Sequence, residues 1–347
     1  MSLLTRRNLL SAGAAGLALS ALPRFALAQS LPEATIAIIG DGRTGPWATA
    51  QTNILGKSFS EAVGANIRWQ PGFTASLPVM EALRAGDVDF TFATSTAVVN
   101  AIDVGIPITP VAAFPLPVDA VDGLTLTGSG IASAADLKGR KVAYQRGTTG
   151  HYSLLKYLES AGLTIDDVEG ISLAGTDGFT ALSQGAVDAW FHWQPAATIG
   201  IARLGADRVT RLPDVPTHDY AFYVARDGFY AEHPEIAHNL VTQIRNVQEK
   251  INADPAGTVA LWAEAGGFEA GSVEAQAFEQ LLTERRASES TSVGLHPVDE
   301  RAADVTQAIA DSFVELGVLP RHVDVKGFLA DARFDAVRAE TAARLEA

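Results

Sequence analysis

Short β-branched runs alternate with helix patterns over the first third of the chain. Residues 35–39, 66–70 and 89–93 have the composition and alternation of strands. A helix is predicted over residues 46–63, where Pro46 suits the first turn, and another begins at Ser76. A strand–helix–strand–helix order forms a sheet with helices on both faces. The pattern therefore predicts an α/β fold with a mostly parallel sheet.

A second, smaller unit of the same kind begins near Ser129. Its strands are predicted at residues 141–144, 171–173 and 188–191, and its first helix at 151–161. The unit has about the minimum size of an independent α/β lobe. We therefore expect a second sheet with its own helices.

Two turn-rich stretches that contain proline, residues 115–123 and 213–217, bracket this unit. A unit that the chain enters and leaves through two connections is typical of two lobes joined by a hinge. We expect lobe one to comprise residues 29–127 and 217–347, and lobe two to comprise residues 128–216.

Residues 1–28 are typical of a cleavable export signal. Arg6 and Arg7 form a positive start, residues 9–22 are a short run of Leu, Ala and Gly, and residues 26–28 are an A-x-A site. The Arg pair in its context resembles the twin-arginine signature. The apolar run is too short to span a bilayer comfortably. We expect a periplasmic protein exported by a twin-arginine-type signal.

The charge balance narrows the class of partner. The 347 residues include 40 acidic and 26 basic side chains, for a net charge of −14. Such a balance disfavours nucleic acid and polybasic contact with a membrane surface. Cysteine is absent, which excludes disulfides and thiol chemistry.

No pattern in the sequence indicates catalysis. It contains neither H-E-x-x-H nor G-x-S-x-G, and no cluster has the spacing of metal ligands. The glycine run at residues 40–45 lacks the full dinucleotide fingerprint and is better explained as a tight turn. We expect a binding protein that is not an enzyme and has no metal or cofactor.

Hydroxyl side chains and glycines stand at the predicted turns from strand to helix. These turns lie at the carboxyl ends of strands, where α/β sheets bind ligands, and free helix N–H groups attract anions there. Any one of these residues could serve only as a helix cap. The four turns contain Thr44 and Gly45; Ser76; Thr94, Ser95 and Thr96; and Thr148, Thr149 and Gly150.

Several segments together resemble one known group of proteins. The chain is similar to the periplasmic substrate-binding proteins of ABC importers for aliphatic sulfonates and taurine, within the nitrate/sulfonate/taurine group. The similarity covers the mature chain in the right order. It is carried by residues 81–89, 138–155, 185–195, 231–235 and 316–320.

The resemblance implies a two-lobed periplasmic binding protein of type II, a monomer that closes on a small anion. The closed form would dock on a membrane permease driven by its ATPase. Carried over by position, Thr148, Thr149, Gly150 and His151 would form the anion site of lobe two. Ser95 and Thr96, with Ser76 and Thr44 nearby, would form that of lobe one, and Trp193, Gln194 and Phe73 would contact the rest of the ligand.

Two departures from the group bear on the ligand. Gln194 and the run Thr94-Ser95-Thr96 replace acidic residues that many sulfonate binders have. Taurine needs a group to pair with its ammonium, so the sequence favours a sulfonate without an amine or a related small anion. The alternatives are taurine, nitrate, a pyrimidine of the thiamin-precursor type stacked on tryptophan, and a periplasmic enzyme on the same architecture.

Overall fold

The computed structural model describes residues 31–209 and 219–346. The expected export signal and the second connecting stretch, residues 213–217, lie outside them. The strands within the described residues are β1 (Glu33–Ile39), β2 (Asn66–Phe73), β3 (Phe90–Thr94), β4 (Ile108–Pro115), β5 (Val121–Thr125), β6 (Lys141–Tyr144), β7 (Glu169–Ser172), β8 (Ala189–Trp193), β9 (Asp207–Arg208) and β10 (Tyr220–Arg226).

Helices flank these strands, and most of the chain after β10 is helical. Short 3₁₀ turns occupy Ala134–Leu137, Ile165–Asp167 and Ala332–Phe334. The α-helices in the described residues are α1 (Gly45–Ala50), α2 (Phe59–Val63), α3 (Ser76–Ala85), α4 (Ser95–Asp103), α5 (Thr149–Ser160), α6 (Gly175–Ser183), α7 (Ala196–Leu204), α8 (Asp227–Glu232), α9 (Pro234–Ala253), α10 (Pro255–Gly266), α11 (Val273–Thr283), α12 (Ser288–Thr291), α13 (Glu300–Glu315), α14 (Val325–Leu329) and α15 (Asp335–Glu346).

The strands form two sheets of five. Their orders are β2-β1-β3-β10-β4 and β7-β6-β8-β5-β9. In the first sheet β10 pairs antiparallel with both neighbours, so the other four strands share one direction. In the second sheet β5 is opposed in the same way. The predicted α/β fold with two mostly parallel sheets is confirmed.

The antiparallel strands, β5 and β10, are the strands that follow each crossing of the chain from one sheet to the other. The chain leaves the first sheet after β4 and enters the second with β5, and it returns to the first with β10. Residues 121–125 therefore belong to the second sheet, although the predicted boundary places them in lobe one. The division into lobes stays a prediction, and the sheets favour a crossing between residues 115 and 121.

Each sheet has a hydrophobic core on both faces. On one face of the first sheet Trp47 packs edge-on against Tyr223 at 5.9 Å and near Phe90 at 6.4 Å. On the other, α13 contributes the fully buried Phe313. The second sheet has smaller cores centred on Phe191 and on Trp190. In the described residues no helix is long and apolar enough to cross a membrane.

The helix predicted over residues 46–63 is wrong in extent. It ends at Ala50, and a new helix begins at Phe59. Gly56 has φ +75°, a left-handed conformation that interrupts a helix. Ser58 then begins α2 with a reciprocal capping box, in which its hydroxyl and the Glu61 carboxylate satisfy each other's backbone N–H.

Gly123→Ala should destabilise the second sheet. Gly123 pairs with Phe191 across β5 and β8, and a Cβ there would lie 2.6 Å from the Phe191 ring. Because the ring is fully buried, it has little room to move, and we expect a loss of about 1–3 kcal/mol in unfolding free energy. Urea denaturation measures the loss. Gly294→Ala is the control, since its Cβ meets nothing within 4 Å, and equal midpoints for the two variants would contradict the packing argument.

Candidate functional site

A cavity of about 190 Å³ lies where both sheets contribute residues. The first sheet supplies the end of β1 and Thr94 at the end of β3. The second supplies Trp193 at the end of β8 and the start of α5. These are carboxyl ends of strands that share a direction, as expected for a ligand site in an α/β protein.

Three helices of nine or more residues contribute first-turn residues to the lining of this cavity. Lining residues include Ser76 of α3, Thr96 of α4 and Thr149 of α5, with the preceding residues Ala75, Thr94 and Thr148. The first N–H groups of a helix have no partner within it and carry partial positive charge. At α3 and α4 the preceding residue makes no capping bond through its side chain. The N–H groups of these two helices therefore favour a negatively charged ligand group.

The hydroxyls at the cavity differ in how far the protein satisfies them. The Thr148 hydroxyl donates to the Gln145 carbonyl at 2.7 Å, and Thr94 and Thr96 share a hydrogen bond of 3.0 Å. The Thr149 hydroxyl is buried and makes no hydrogen bond of ordinary length to any described residue. It does help to lower the pKa of the nearby Asp219 carboxyl, whose burial raises that pKa to about 6. Of these four threonines, Thr149 has the hydroxyl that the protein holds least firmly.

Seven of the residues predicted to bind the ligand line this cavity. They belong to five separate turns and to both sheets, and only the fold brings these turns near one another. Their roles in binding stay predictions. They are Thr44, Ser76, Thr96, Thr148, Thr149, Trp193 and Gln194.

Four other predicted site residues lie behind the lining. The Ser95 hydroxyl donates to the Tyr220 carbonyl at 3.0 Å and contacts the Thr306 hydroxyl at 3.1 Å. Phe73, at the end of β2, packs against the apolar core of the first sheet. Ser95 is fully buried, whereas Phe73 is partly buried.

The other two, Gly150 and His151, lie in the first turn of α5. A Cβ on Gly150 would be 3.2 Å from the Phe191 carbonyl, so a glycine lets α5 approach β8 closely. The His151 ring stacks on Tyr144, with 4.6 Å between centroids, and its Nδ1 accepts the Gly147 N–H at 3.2 Å. Burial lowers the pKa of His151 to about 4, so the ring is neutral at pH 7. It supports the turn and supplies no positive charge.

Gln194 lines the cavity, yet the protein occupies both ends of its amide. Its Nε2 donates to Asp122 at 2.8 Å, and its Oε1 accepts from the Thr198 backbone at 3.0 Å and hydroxyl at 2.8 Å. Gln194 therefore fixes the wall of the cavity.

Glu289 is a cavity residue that the sequence analysis missed. It lies in the short helix α12, between two neighbouring lining residues, Ser288 and Ser290. Among the described residues that line the cavity, it has the one charged side chain. No periodicity or motif marks it, and the polar run 288–292 was its sole sequence signal.

The Glu289 carboxyl is held by neutral donors. The Tyr223 hydroxyl lies 3.4 Å from its Oε1, and the Trp47 side chain also hydrogen-bonds it. Burial raises the pKa of Glu289 to about 8, and these two hydrogen bonds oppose the rise. At neutral pH the Glu289 carboxyl is therefore protonated in most molecules of the ligand-free protein.

The segment before Glu289 is anchored by Arg286. This buried guanidinium forms ion pairs with Asp119, with Asp122 at 3.5 Å and with Glu284 at 3.2 Å. Asp122 also pairs with Arg208 at 3.3 Å, and it is the carboxylate that holds Gln194. The network thus connects two parts of the cavity wall.

A family model described as NMT1/THI5 like matches residues 63–258, more than half of the chain. The chain belongs to the NMT1/THI5-like family. The predicted relationship to sulfonate-binding proteins is also confirmed. A putative aliphatic sulfonates-binding protein of Escherichia coli is 27% identical over 320 residues, which cover 92% of this chain and 95% of that one.

Solved structures share the fold. The crystal structure of the periplasmic aliphatic sulphonate binding protein SsuA from Escherichia coli matches with a TM-score of 0.70 and 25% identity, covering 86% of this chain and 97% of that chain. The desulfurization enzyme DSZB matches with a TM-score of 0.59 and 15% identity, covering 88% and 98%. Because an enzyme has a similar fold, the fold alone does not exclude catalysis.

Arg286→Met should destabilise the protein by about 3 kcal/mol, because it removes a buried partner of Asp119 and Asp122. Arg84→Met is the control. It breaks an exposed pair with Glu81, and we expect a cost below about 0.5 kcal/mol. Urea denaturation at pH 7 compares the two variants. Similar losses of unfolding free energy would show that the Arg286 network contributes no more to stability than an exposed ion pair does.

Glu289→Gln should stabilise the ligand-free protein, and more at pH 8 than at pH 5. The carboxyl has a pKa of about 8 when folded against an ordinary 4.5, so between these values the unfolded chain releases a proton that the folded chain keeps. Wild-type stability therefore falls as pH rises through this window. Glutamine does not titrate, and we expect a gain of more than about 1 kcal/mol at pH 8. Denaturation across the pH range checks this, and a gain independent of pH would contradict the shifted pKa.

Proposed function

We propose that this protein is the extracytoplasmic solute-binding component of an ABC importer and binds a small organic anion, an aliphatic sulfonate or taurine, in the cavity between its two sheets. The observation that carries the proposal is the convergence of α3, α4 and α5 on one cavity without a basic side chain in its described lining. The sequence relationship to a putative aliphatic sulfonates-binding protein supports the ligand class.

A sulfonate suits this arrangement chemically. It keeps its negative charge at any physiological pH and has three acceptor oxygens. Backbone N–H groups and the hydroxyls of Ser76 and Thr149 supply donors that are stronger when they meet a charged acceptor. The surfaces of Trp193 and Phe92 provide an apolar boundary for the organic part.

Binding would act through the two lobes. Because lining residues come from both sheets, a ligand that contacts both favours the closed arrangement over the open one. We propose that the closed form then docks on the cognate permease and its ATPase. We further propose that residues 1–28 are a twin-arginine-type signal that delivers the protein to the periplasm.

Binding is favoured over catalysis by the contents of the cavity. Its described lining includes no histidine, cysteine or lysine to act as base or nucleophile. Glu289 is engaged by Trp47 and Tyr223. A pyrimidine is the second candidate, because Trp47, Phe92 and Trp193 all line the cavity beside that carboxyl.

A thermal-shift screen of the mature chain tests the proposal. The compounds are ethanesulfonate, longer alkanesulfonates, taurine, nitrate, sulfate and a thiamin-precursor pyrimidine. A ligand at about 100 times its Kd should stabilise the protein by about 2.7 kcal/mol, which is a shift of a few degrees in Tm. Stabilisation by sulfonates supports the assignment. A response to the pyrimidine alone, or to none of these compounds, would contradict it.

Thr149→Val then tests the site with any sulfonate that binds. The valine keeps the shape and removes a hydroxyl that a charged acceptor would use, so we expect the Kd to rise about 10- to 100-fold by calorimetry. Thr180→Val is the control, since Thr180 is exposed on α6, outside the cavity lining, and its hydroxyl bonds the Thr176 carbonyl. An unchanged Kd in Thr149→Val would place the anion elsewhere.

A further inference from the structure

The cavity proposed to bind an anion carries a carboxyl on its wall. Among its described lining residues Glu289 alone has an ionisable side chain of the acidic or basic type. Its ionised form would repel a simple anion, and none of the described lining residues is a cation that could compensate for it. The presence of this group therefore requires an explanation that the anion site does not provide.

Neutral groups from three elements hold the side chain in place. Trp47 comes from α1 and Tyr223 from β10. Gln248 of α9 donates to the Tyr223 hydroxyl at 3.2 Å and to the Glu289 carbonyl at 2.5 Å. Among the described residues no positively charged side chain pairs with Glu289, and no charged group other than its own contributes to its pKa. The carboxyl is thus oriented by neutral donors and has no cationic partner among the described residues.

A carboxyl held in this way gains most from a cation that arrives with the ligand. A buried charge without a partner is costly, whereas a paired and hydrogen-bonded one is tolerated. Helix N-termini can take a sulfonate, and Glu289 can take a positive group on the same molecule. Such a ligand is a small zwitterion.

We propose that Glu289 determines specificity by pairing with an ammonium group, so that the cavity selects an aminoalkanesulfonate over an alkanesulfonate of the same size. This inference rests on the proposed sulfonate function. It reverses the preference that the sequence suggested, because that preference assumed a cavity without a carboxyl.

Release of a proton on ligand binding provides a separate test of the pairing between Glu289 and an ammonium group. Burial raises the pKa of Glu289 to about 8, and the groups facing it are Trp47, Tyr223 and Gln248, with Ser288 and Ser290 beside it on α12. The pKa of Tyr223 is also raised by burial, so Tyr223 stays neutral. An ammonium partner lowers the pKa of the carboxyl. Binding at pH 7 should therefore release close to one proton.

The test compares taurine with propanesulfonate, in which a methyl group replaces the ammonium. Calorimetry on the mature wild-type protein at pH 7 should give the tighter Kd for taurine, by at least about tenfold. Buffers of different ionisation enthalpy report the proton released. Propanesulfonate should release none, because it offers Glu289 no cation.

Glu289→Gln is the deciding variant, because it keeps the size of the side chain and removes the charge. It should weaken taurine at least about 30-fold, abolish proton release and leave propanesulfonate unchanged or bound more tightly. Glu279→Gln is the matched control. It removes an exposed carboxylate of α11 that lies outside the Arg286 network and the cavity lining, and it should leave both Kd values unchanged.

Three results would overturn the inference while leaving the sulfonate function intact. They are equal or tighter binding of propanesulfonate by the wild type, retention of the taurine preference in Glu289→Gln, and taurine binding without proton release. Failure of both sulfonates to bind would overturn the proposed function itself. Binding of an aminopyrimidine in their place would assign the carboxyl to a heterocycle.

Discussion

The position of the cavity depends on the way the chain crosses between its sheets. It leaves after β4 and returns before β10, so each sheet receives one strand opposed to the other four. The strands that share a direction end at one edge, and their turns therefore open toward the crossing. Cavity residues as distant in sequence as Ser76, Thr149 and Glu289 meet there. The site is a product of topology, and no single segment of the chain contains it.

The order of strands and helices could be predicted because the alternation of apolar and polar residues and the β-branched runs are local signals. The strand-to-helix turns that line the cavity could also be predicted, since ligand sites lie at the carboxyl ends of parallel strands. Individual side chains were less predictable. Thr94 and Thr96 line the cavity, whereas Ser95 between them points to Tyr220 and Thr306, from distant parts of the chain. At the start of a helix, a shift of one residue along the chain decides whether a side chain faces the cavity or the protein interior. Residue type alone does not encode this difference.

The sequence did not reveal Glu289 or the residues that hold it in place, and the reason is different. Its helix α12 has four residues, too few to show a periodic face. Its position depends on Arg286, whose partners Asp119 and Asp122 come from more than 160 residues earlier in the chain. Ion pairs of this kind leave no spacing pattern. Arg286 is 7% exposed, although nothing in the run Glu284-Arg285-Arg286 marks one arginine as buried.

The electrostatics of the cavity favour discrimination over strength. An arginine in the cavity wall would attract every small anion. Helix N-termini and hydroxyls attract anions more weakly and with directional demands. An ionised carboxyl in the same wall would add a penalty for any anion that brings no compensating cation. Specificity is a difference between affinities, and repulsion of the wrong ligand widens that difference as effectively as attraction of the right one.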